Sequence, residues 1–270
     1  MKLSGFGASL VVVCALSAQV LAVPTFYIVQ KDARYTQSGP STVGLAGYQF
    51  LGRATPNDGI GPIDFNGGTI SFPAGSPVPT SALGPVGAEL QYRSGVLDLA
   101  TFQADYPDGS YHFHLTDSAN ASHTQDESVD SAIAAPPTSI PALTAASFNG
   151  LQGMDSTKSF TVNFNTFTGA NADALIFFGV TNSSGSTILF DGLQPNVTQD
   201  TIAANVLQPG QQYNFLLFFS NVAITADNNG EVLQDNRTAG SFTTAPEPSS
   251  AAVCMLALGA LALRRRKRSH

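Results

Sequence analysis

Between the two ends of this chain, no apolar pattern keeps a helical period for more than about two turns. Short runs of Val, Ile, Thr, Phe and Tyr are instead cut at close intervals by Gly, Pro, Asn, Asp and Ser. Such punctuation excludes helical bundles and parallel α/β folds and leaves an all-β architecture. Strands are expected at Thr25–Gln30, Gly47–Arg53, Gly68–Phe72, Ala88–Arg93 and Tyr111–Thr116. A second set is expected at Thr138–Phe148, Ser159–Thr168, Ala174–Thr181, Ser186–Asp191, Thr201–Val206, Tyr213–Asn221 and Gly240–Thr244. With 18 Phe, 7 Tyr and no Trp, phenylalanine has to supply most of the core volume. The Ser-, Ala-, Asp- and Pro-rich stretch 118–137 separates the two sets and reads as a loop running into a linker. Two β-sandwich domains are therefore expected, over 23–117 and 138–244.

A weak internal repeat supports that division. Pro107, Tyr111, Phe113 and Leu115 recur as Pro209, Tyr213, Phe215 and Leu217, one immunoglobulin-sized sandwich apart. Pro and Gly make a turn, and the residues at i, i+2 and i+4 then point to one face of the strand that follows. In the second half, Leu207-Gln208-Pro209-Gly210-Gln211-Gln212-Tyr213 resembles the Leu-x-Pro-Gly-x-x-Tyr corner of fibronectin type III domains. The resemblance implies that the Tyr213 hydroxyl pins the chain just before its strand. It also puts Pro141-Ala142-Leu143 and Ser241-Phe242-Thr243-Thr244 at the first and last strands. The early tryptophan usual in that fold is absent, so a phenylalanine such as Phe164 is expected to fill its volume.

The two ends carry addresses. Lys2, the apolar stretch Phe6–Leu16 and Val20-Leu21-Ala22 have the order of a secretory signal peptide over 1–22, with cleavage after Ala22. Val13 before Cys14 is too large for a lipoprotein site. At the other end, Pro246-Glu247-Pro248 precedes an uncharged apolar segment, 249–263, and then Arg264-Arg265-Arg266-Lys267-Arg268. As a helix its 15 residues reach about 22 Å, short of a hydrocarbon core of about 30 Å. Five cations at its end would hold the C-terminus on the cytoplasmic side. Together these residues resemble the PEP-CTERM sorting signal of Gram-negative bacteria, over 245–270. The resemblance implies recognition by a membrane-embedded exosortase, transient or retained anchoring by a short transmembrane helix, and delivery to the cell surface or the extracellular polysaccharide matrix.

Charge and cysteine content narrow the function of the body. Lys2 and the five tail cations take half of the 12 Lys and Arg, leaving six against all 19 Asp and Glu, a balance of −13. Nucleic acid and anionic membrane surfaces are poor partners for such a body. Cys14 and Cys254 both lie in the targeting segments, so the body has no disulfide, no thiol nucleophile and no thiolate metal site.

Chemistry in the body is sparse. His112 and His114 flank Phe113, and with His123 they would supply imidazoles for a metal. The expectation is instead an amphipathic strand with Tyr111, Phe113 and Leu115 inward and both histidines outward. Asp126, Glu127 and Asp130 form an acidic patch in the linker. Asp227-Asn228-Asn229-Gly230-Glu231 with Asp235-Asn236 has the oxygen-rich composition of a calcium loop, but its spacing departs from the 12-residue EF-hand pattern. No cofactor is expected, calcium being the one metal the composition admits. There is no Gly-x-Ser-x-Gly elbow, P-loop or His-Glu-x-x-His. The expected function is that of an exported, non-enzymatic protein of the cell surface or an exopolysaccharide-associated matrix. A carbohydrate-binding or adhesive module, using an exposed aromatic face such as Tyr106 and Tyr111, is the alternative, and a secreted polysaccharide hydrolase is the third reading.

Overall fold

The computed structural model describes residues 25–56, 65–87, 89–117, 120, 122–224 and 230–247. The expected signal peptide 1–22 with Ala22, Pro248, the apolar segment 249–263, the basic end 264–268 and the Asp227-Asn228-Asn229 run lie outside the described residues. The protein is mostly β, as expected. In chain order the elements are β1 (Thr25–Gly39), β2 (Thr42–Pro56), β3 (Phe65–Ser71), β4 (Ser81–Val86), β5 (Glu89–Val96), α1 (Leu99–Asp105), β6 (Gly109–Asp117) and β7 (Ser122–Val129). The second half contributes α2 (Ala145–Leu151), β8 (Phe160–Asn163), β9 (Leu175–Asn182), β10 (Thr187–Leu193), β11 (Gln199–Ile202), β12 (Gln212–Ile224) and β13 (Gly230–Thr243).

Eleven of these strands form one sheet in the order β10-β9-β12-β13-β1-β2-β5-β4-β3-β6-β7. Its middle joins the first and last strands of the described chain: β1 runs parallel to β13, pairing Tyr27 with Gly230 through Thr36 with Ala239. All other strand pairs are antiparallel. The small β11-β8 sheet and α2 face the β10-β9-β12-β13 end, making it sandwich-like. Ser241-Phe242-Thr243 closes β13, the last strand position implied by the fibronectin resemblance, whereas at the first position Leu143 makes only an isolated bridge to Phe164.

Alternation along the strands puts two cores on the same face of the sheet. One gathers Leu143, Phe164, Ile176, Phe178, Val180, Tyr213, Phe215, Leu217, Phe219 and Phe242. Phe164 is buried there, edge-on to Phe219. The other gathers Val29, Phe50, Ile70, Leu90, Tyr106, Tyr111, Phe113 and Leu115, with Val129 and Val232 closing it from β7 and β13. Phe50 stacks on Tyr106 at 4.4 Å and on Tyr111 at 5.2 Å.

Several sequence expectations are corrected. Thr138–Phe148 is not a strand: Thr144 accepts from the Ser147 amide at 3.3 Å and caps α2, which turns Phe148 and Leu151 into the core. Ser122–Val129, read as loop on its polar composition, is β7, because hairpin pairing with β6 satisfies its backbone and buries Glu127 and Val129. Asp235 and Asn236 are not loop ligands but buried residues of β13. The Asn236 amide donates to the carbonyls of Pro137 and Ser139, both at 2.9 Å, and Asn221 donates to that of Ala135 at 2.7 Å. Buried amides thus fasten the 133–141 segment to the sheet.

Candidate functional site

The end of β13 is held to the body residue by residue. The corner Leu207–Tyr213 buries Leu207 and turns at Gly210, whose φ of +67° suits glycine. The Gln208 amide donates to the Tyr213 hydroxyl at 2.7 Å, the pinning the fibronectin resemblance implies. The repeated tyrosine in the first half does the same job with reversed polarity: the Tyr111 hydroxyl donates to the Pro107 carbonyl at 2.7 Å. The corner then grips the chain beyond β13. The Thr244 hydroxyl donates to the Gln208 carbonyl at 2.7 Å and accepts from the Gln211 amide at 3.1 Å. Gly210 donates to the Ala245 carbonyl at 3.0 Å, and Ala245 donates to that of Met154 at 2.8 Å. Pro246 lies against Gly210, and it borders with Glu247 a groove that also includes Asn182, Ile188 and Tyr213. Thr244 is only 1% exposed, whereas Glu247 is exposed.

The other sequence candidates are dispersed. Tyr106 and Tyr111 are 1% and 0% exposed, so they cannot be an exposed sugar platform; they fill the first core. Tyr111, Phe113 and Leu115 do point inward, with His112 and His114 outward. The β6–β7 register places His112 opposite Asp126 but His123 opposite Leu115, so His123 projects from the other face. Each imidazole has its own partner: His112 meets Asp126 at 2.6 Å, His114 meets Ser122 at 3.0 Å, and His123 meets Asp117 at 2.9 Å. Among the described residues no three His, Cys, Asp or Glu side chains gather where a metal could bind.

The structure brings together a pair that sequence separation hid. Asp32 and Asp235 are direct partners in the β1–β13 register, 2% and 4% exposed. The Gln30 amide donates to both carboxyls, at 2.8 and 2.7 Å, and the Ser220 hydroxyl donates to Asp235. Arg237 approaches Asp32 at 3.7 Å. Burial pushes both carboxyls above the ordinary carboxylate range, and the negative charge of Asp32 pushes Asp235 further.

Beside it, on the face away from both cores, runs an aromatic row. Phe177 stacks on Phe190 at 5.4 Å with the rings 16° apart, and Phe218 meets both edge-on at 6.4 Å. Phe190 is 52% exposed. These residues border an open groove of about 380 Å³ that continues to Gln30, Arg53 and Arg237. The legible signal was the unbroken apolar run Leu175-Ile176-Phe177-Phe178, which makes both faces of β9 apolar where the period-2 reading credits one.

The chain from the clamped Thr244 through the cationic end, residues 244–268, matches the PEP-CTERM protein-sorting motif. The chain carries a PEP-CTERM sorting signal. Its first two residues, Thr244 and Ala245, are the ones held by the tyrosine corner. A PEP-CTERM signal implies an exported protein. Among the described residues no helix is long and apolar enough to cross a membrane.

No curated protein matches this chain. Similar solved structures include a biofilm-associated protein BSP domain (12% identity, 84% of this chain and 30% of that one, TM-score 0.23). They also include the FN1–FN3 domains of chicken CNTN1 (13%, 73% and 62%, TM-score 0.24). A third is a tetra-tandem repeat from the extending region of a large adhesion protein (14%, 80% and 49%, TM-score 0.24). This chain spans less than two thirds of each of these three structures.

Proposed function

We infer that this protein is an exported, non-enzymatic component of the cell surface or of an exopolysaccharide-associated matrix, sorted through its C-terminal tail. The PEP-CTERM match over 244–268 carries the reading. In this reading export begins with removal of 1–22 after Ala22. An exosortase-type enzyme then recognises Pro246, Glu247 and Pro248 together with Arg264, Arg265, Arg266, Lys267 and Arg268, while the apolar segment 249–263 holds the chain in the inner membrane. The body works as two packed units that share the sheet running through β1 and β13: the sequence-expected 23–117, completed by β7 from the 118–137 stretch, and 138–244. Supporting the junction is the tyrosine-corner clamp, which fixes the chain as far as Ala245 and leaves Glu247 exposed. A processing enzyme would then meet its motif directly at the surface of a folded body.

The test is fractionation of producing cells with peptide mass spectrometry of the mature C-terminus. A surface or secreted form ending near Pro248 is the expected result. Full-length protein retaining Arg268 and confined to the inner membrane would make the tail a plain anchor and the body a periplasmic domain.

A further inference from the structure

The body carries four arginines before its tail, Arg34, Arg53, Arg93 and Arg237, and all four lie on one face of the sheet. Arg34 is the direct partner of Arg237 in the parallel β1–β13 ladder, and partners in such a ladder share a face. Arg53 pairs with Ile28, on the same side as Gln30 and Asp32, and Arg93 pairs with Leu51, itself opposite Gln30. The charges also sense one another: burial lowers the proton affinity of the Arg237 guanidinium, and Arg34 and Arg93 lower it further against the opposing pull of Asp32. In a body of balance −13, this is where cations collect.

Their local neutralisation is incomplete. Arg53 has Glu89 at 3.5 Å and Arg237 has Asp32 at 3.7 Å. Arg34 and Arg93 are exposed, and among the described residues neither has a carboxylate within ion-pair distance; Arg93 reaches only the side-chain oxygen of Gln91, at 3.3 Å. The acids at the centre of this face, Asp32 and Asp235, are buried, and Glu231 lines the groove beside Arg53, so Arg34 and Arg93 are the cations left open to an incoming anion.

The aromatic row lies on the same face and touches the cations directly, since the Arg237 guanidinium sits over the Phe218 ring at 5.4 Å. From Phe190 on β10 to Arg93 on β5 the strip crosses seven neighbouring strands. At about 4.8 Å per strand interval that is roughly 29 Å. Both cores lie on the opposite face, so the strip is built from side chains that neither core needs. Flat apolar rings offer stacking surface to the C–H faces of pyranose rings, and guanidiniums offer paired donors to carboxylates. One extended ligand needs both at once.

We propose that this face, from Phe190, Phe177 and Phe218 across Arg237 to Arg34 and Arg93, is a binding strip for an acidic, uronate-bearing polysaccharide. The proposal rests on the matrix reading above and names the class of polymer that the reading leaves open. A neutral glycan would use the phenylalanines and leave Arg34 and Arg93 idle. A nucleic acid would use the arginines but would also bring its phosphates close to the acid-rich remainder of the body.

Affinity electrophoresis and calorimetry with polygalacturonate test it, with dextran and a single-stranded DNA oligonucleotide as comparators. The full chain is used in a background where R264Q, R265Q, R266Q, K267Q and R268Q silence the cationic tail. Polygalacturonate should bind, weaken as salt rises, and lose about three- to tenfold in affinity for each of Arg34→Gln, Arg93→Gln and Phe190→Ala. Lys158→Gln, which removes an equal charge elsewhere, should leave binding unchanged, and all variants should keep the parent melting temperature. Equal binding of dextran, preference for the oligonucleotide, or a loss with Lys158→Gln matching that with Arg34→Gln would each overturn the proposal. So would absence of polygalacturonate binding, which leaves the fractionation result for the matrix reading untouched. Conversely, a periplasmic protein that binds polygalacturonate through this face keeps the strip and loses the matrix.

Discussion

Asp235 and Asp32 face each other from adjacent strands; burial raises the proton affinity of both carboxyls, and the charge of Asp32 raises that of Asp235 further. The sign of the resulting pH dependence follows from linkage. Both folded-state values are raised above the unfolded ones, so the native state binds more protons in the interval between them. The stability this contributes is complete below the ordinary carboxylate range and is lost as pH rises through the raised folded values. Calorimetric melting temperatures should therefore fall as pH is taken from mildly acidic toward neutral. Asp235→Asn, neutral at every pH, should flatten that fall. A wild-type profile flat over this interval would show that folding does not raise the proton affinity of the pair. None of this was legible residue by residue, because Asp32 and Asp235 are 203 positions apart in sequence and only the parallel β1–β13 register makes them neighbours. The same holds for His123: the sequence places it within a few residues of His112 and His114, but the hairpin register alone decides that the three do not converge.

Among the elements, the tyrosine corner joins fold to tail. Its spacing is written in Leu207–Tyr213, and the hydroxyl does bond back to the Gln208 amide. What the local sequence does not contain is the second use of the corner, as a clamp on Thr244 and Ala245. Tyr213→Phe removes the acceptor of a part-buried amide and should cost about 1–2 kcal/mol in denaturant unfolding. Because the clamp hangs on the same loop, that variant should also become more sensitive to limited proteolysis between Thr244 and Glu247. Unchanged proteolysis alongside a lowered stability would separate the corner from the tail. The misread elements have local causes of a similar kind. The apolar residues Leu143 and Phe148 fit an alternating reading loosely, but the Thr144 cap starts a helix that takes in Phe148. β7 carries a polar sequence that becomes a strand only because β6 is there to pair with it.

For the whole molecule, the decisive contact is the parallel pairing of β1 with β13. It lets Gln37, from the first strand, accept from the Leu143 amide at 2.9 Å and donate to its carbonyl at 3.0 Å, finishing the sandwich of the second half. The segment 138–247 expressed alone would lose that bond and leave β13 as an unpaired edge along ten residues. It should be aggregated or partly unfolded by size-exclusion chromatography and circular dichroism, whereas 25–247 should be monodisperse and cooperative. A soluble, cooperatively unfolding 138–247 would mean that β1 is dispensable to its neighbour. The sequence by itself determined the strand-rich class, the inward face of β6, the tyrosine corner and the address on the tail. Each of those depends on residues within a few positions of one another, where turn chemistry and the two-residue strand period act directly. Only the tertiary structure decided the single sheet, the pairing of Asp32 with Asp235 and the face that gathers Arg34, Arg53, Arg93 and Arg237. Strand order and register are set by pairing between distant segments, and a shift of one residue would have turned every one of those side chains to the other side.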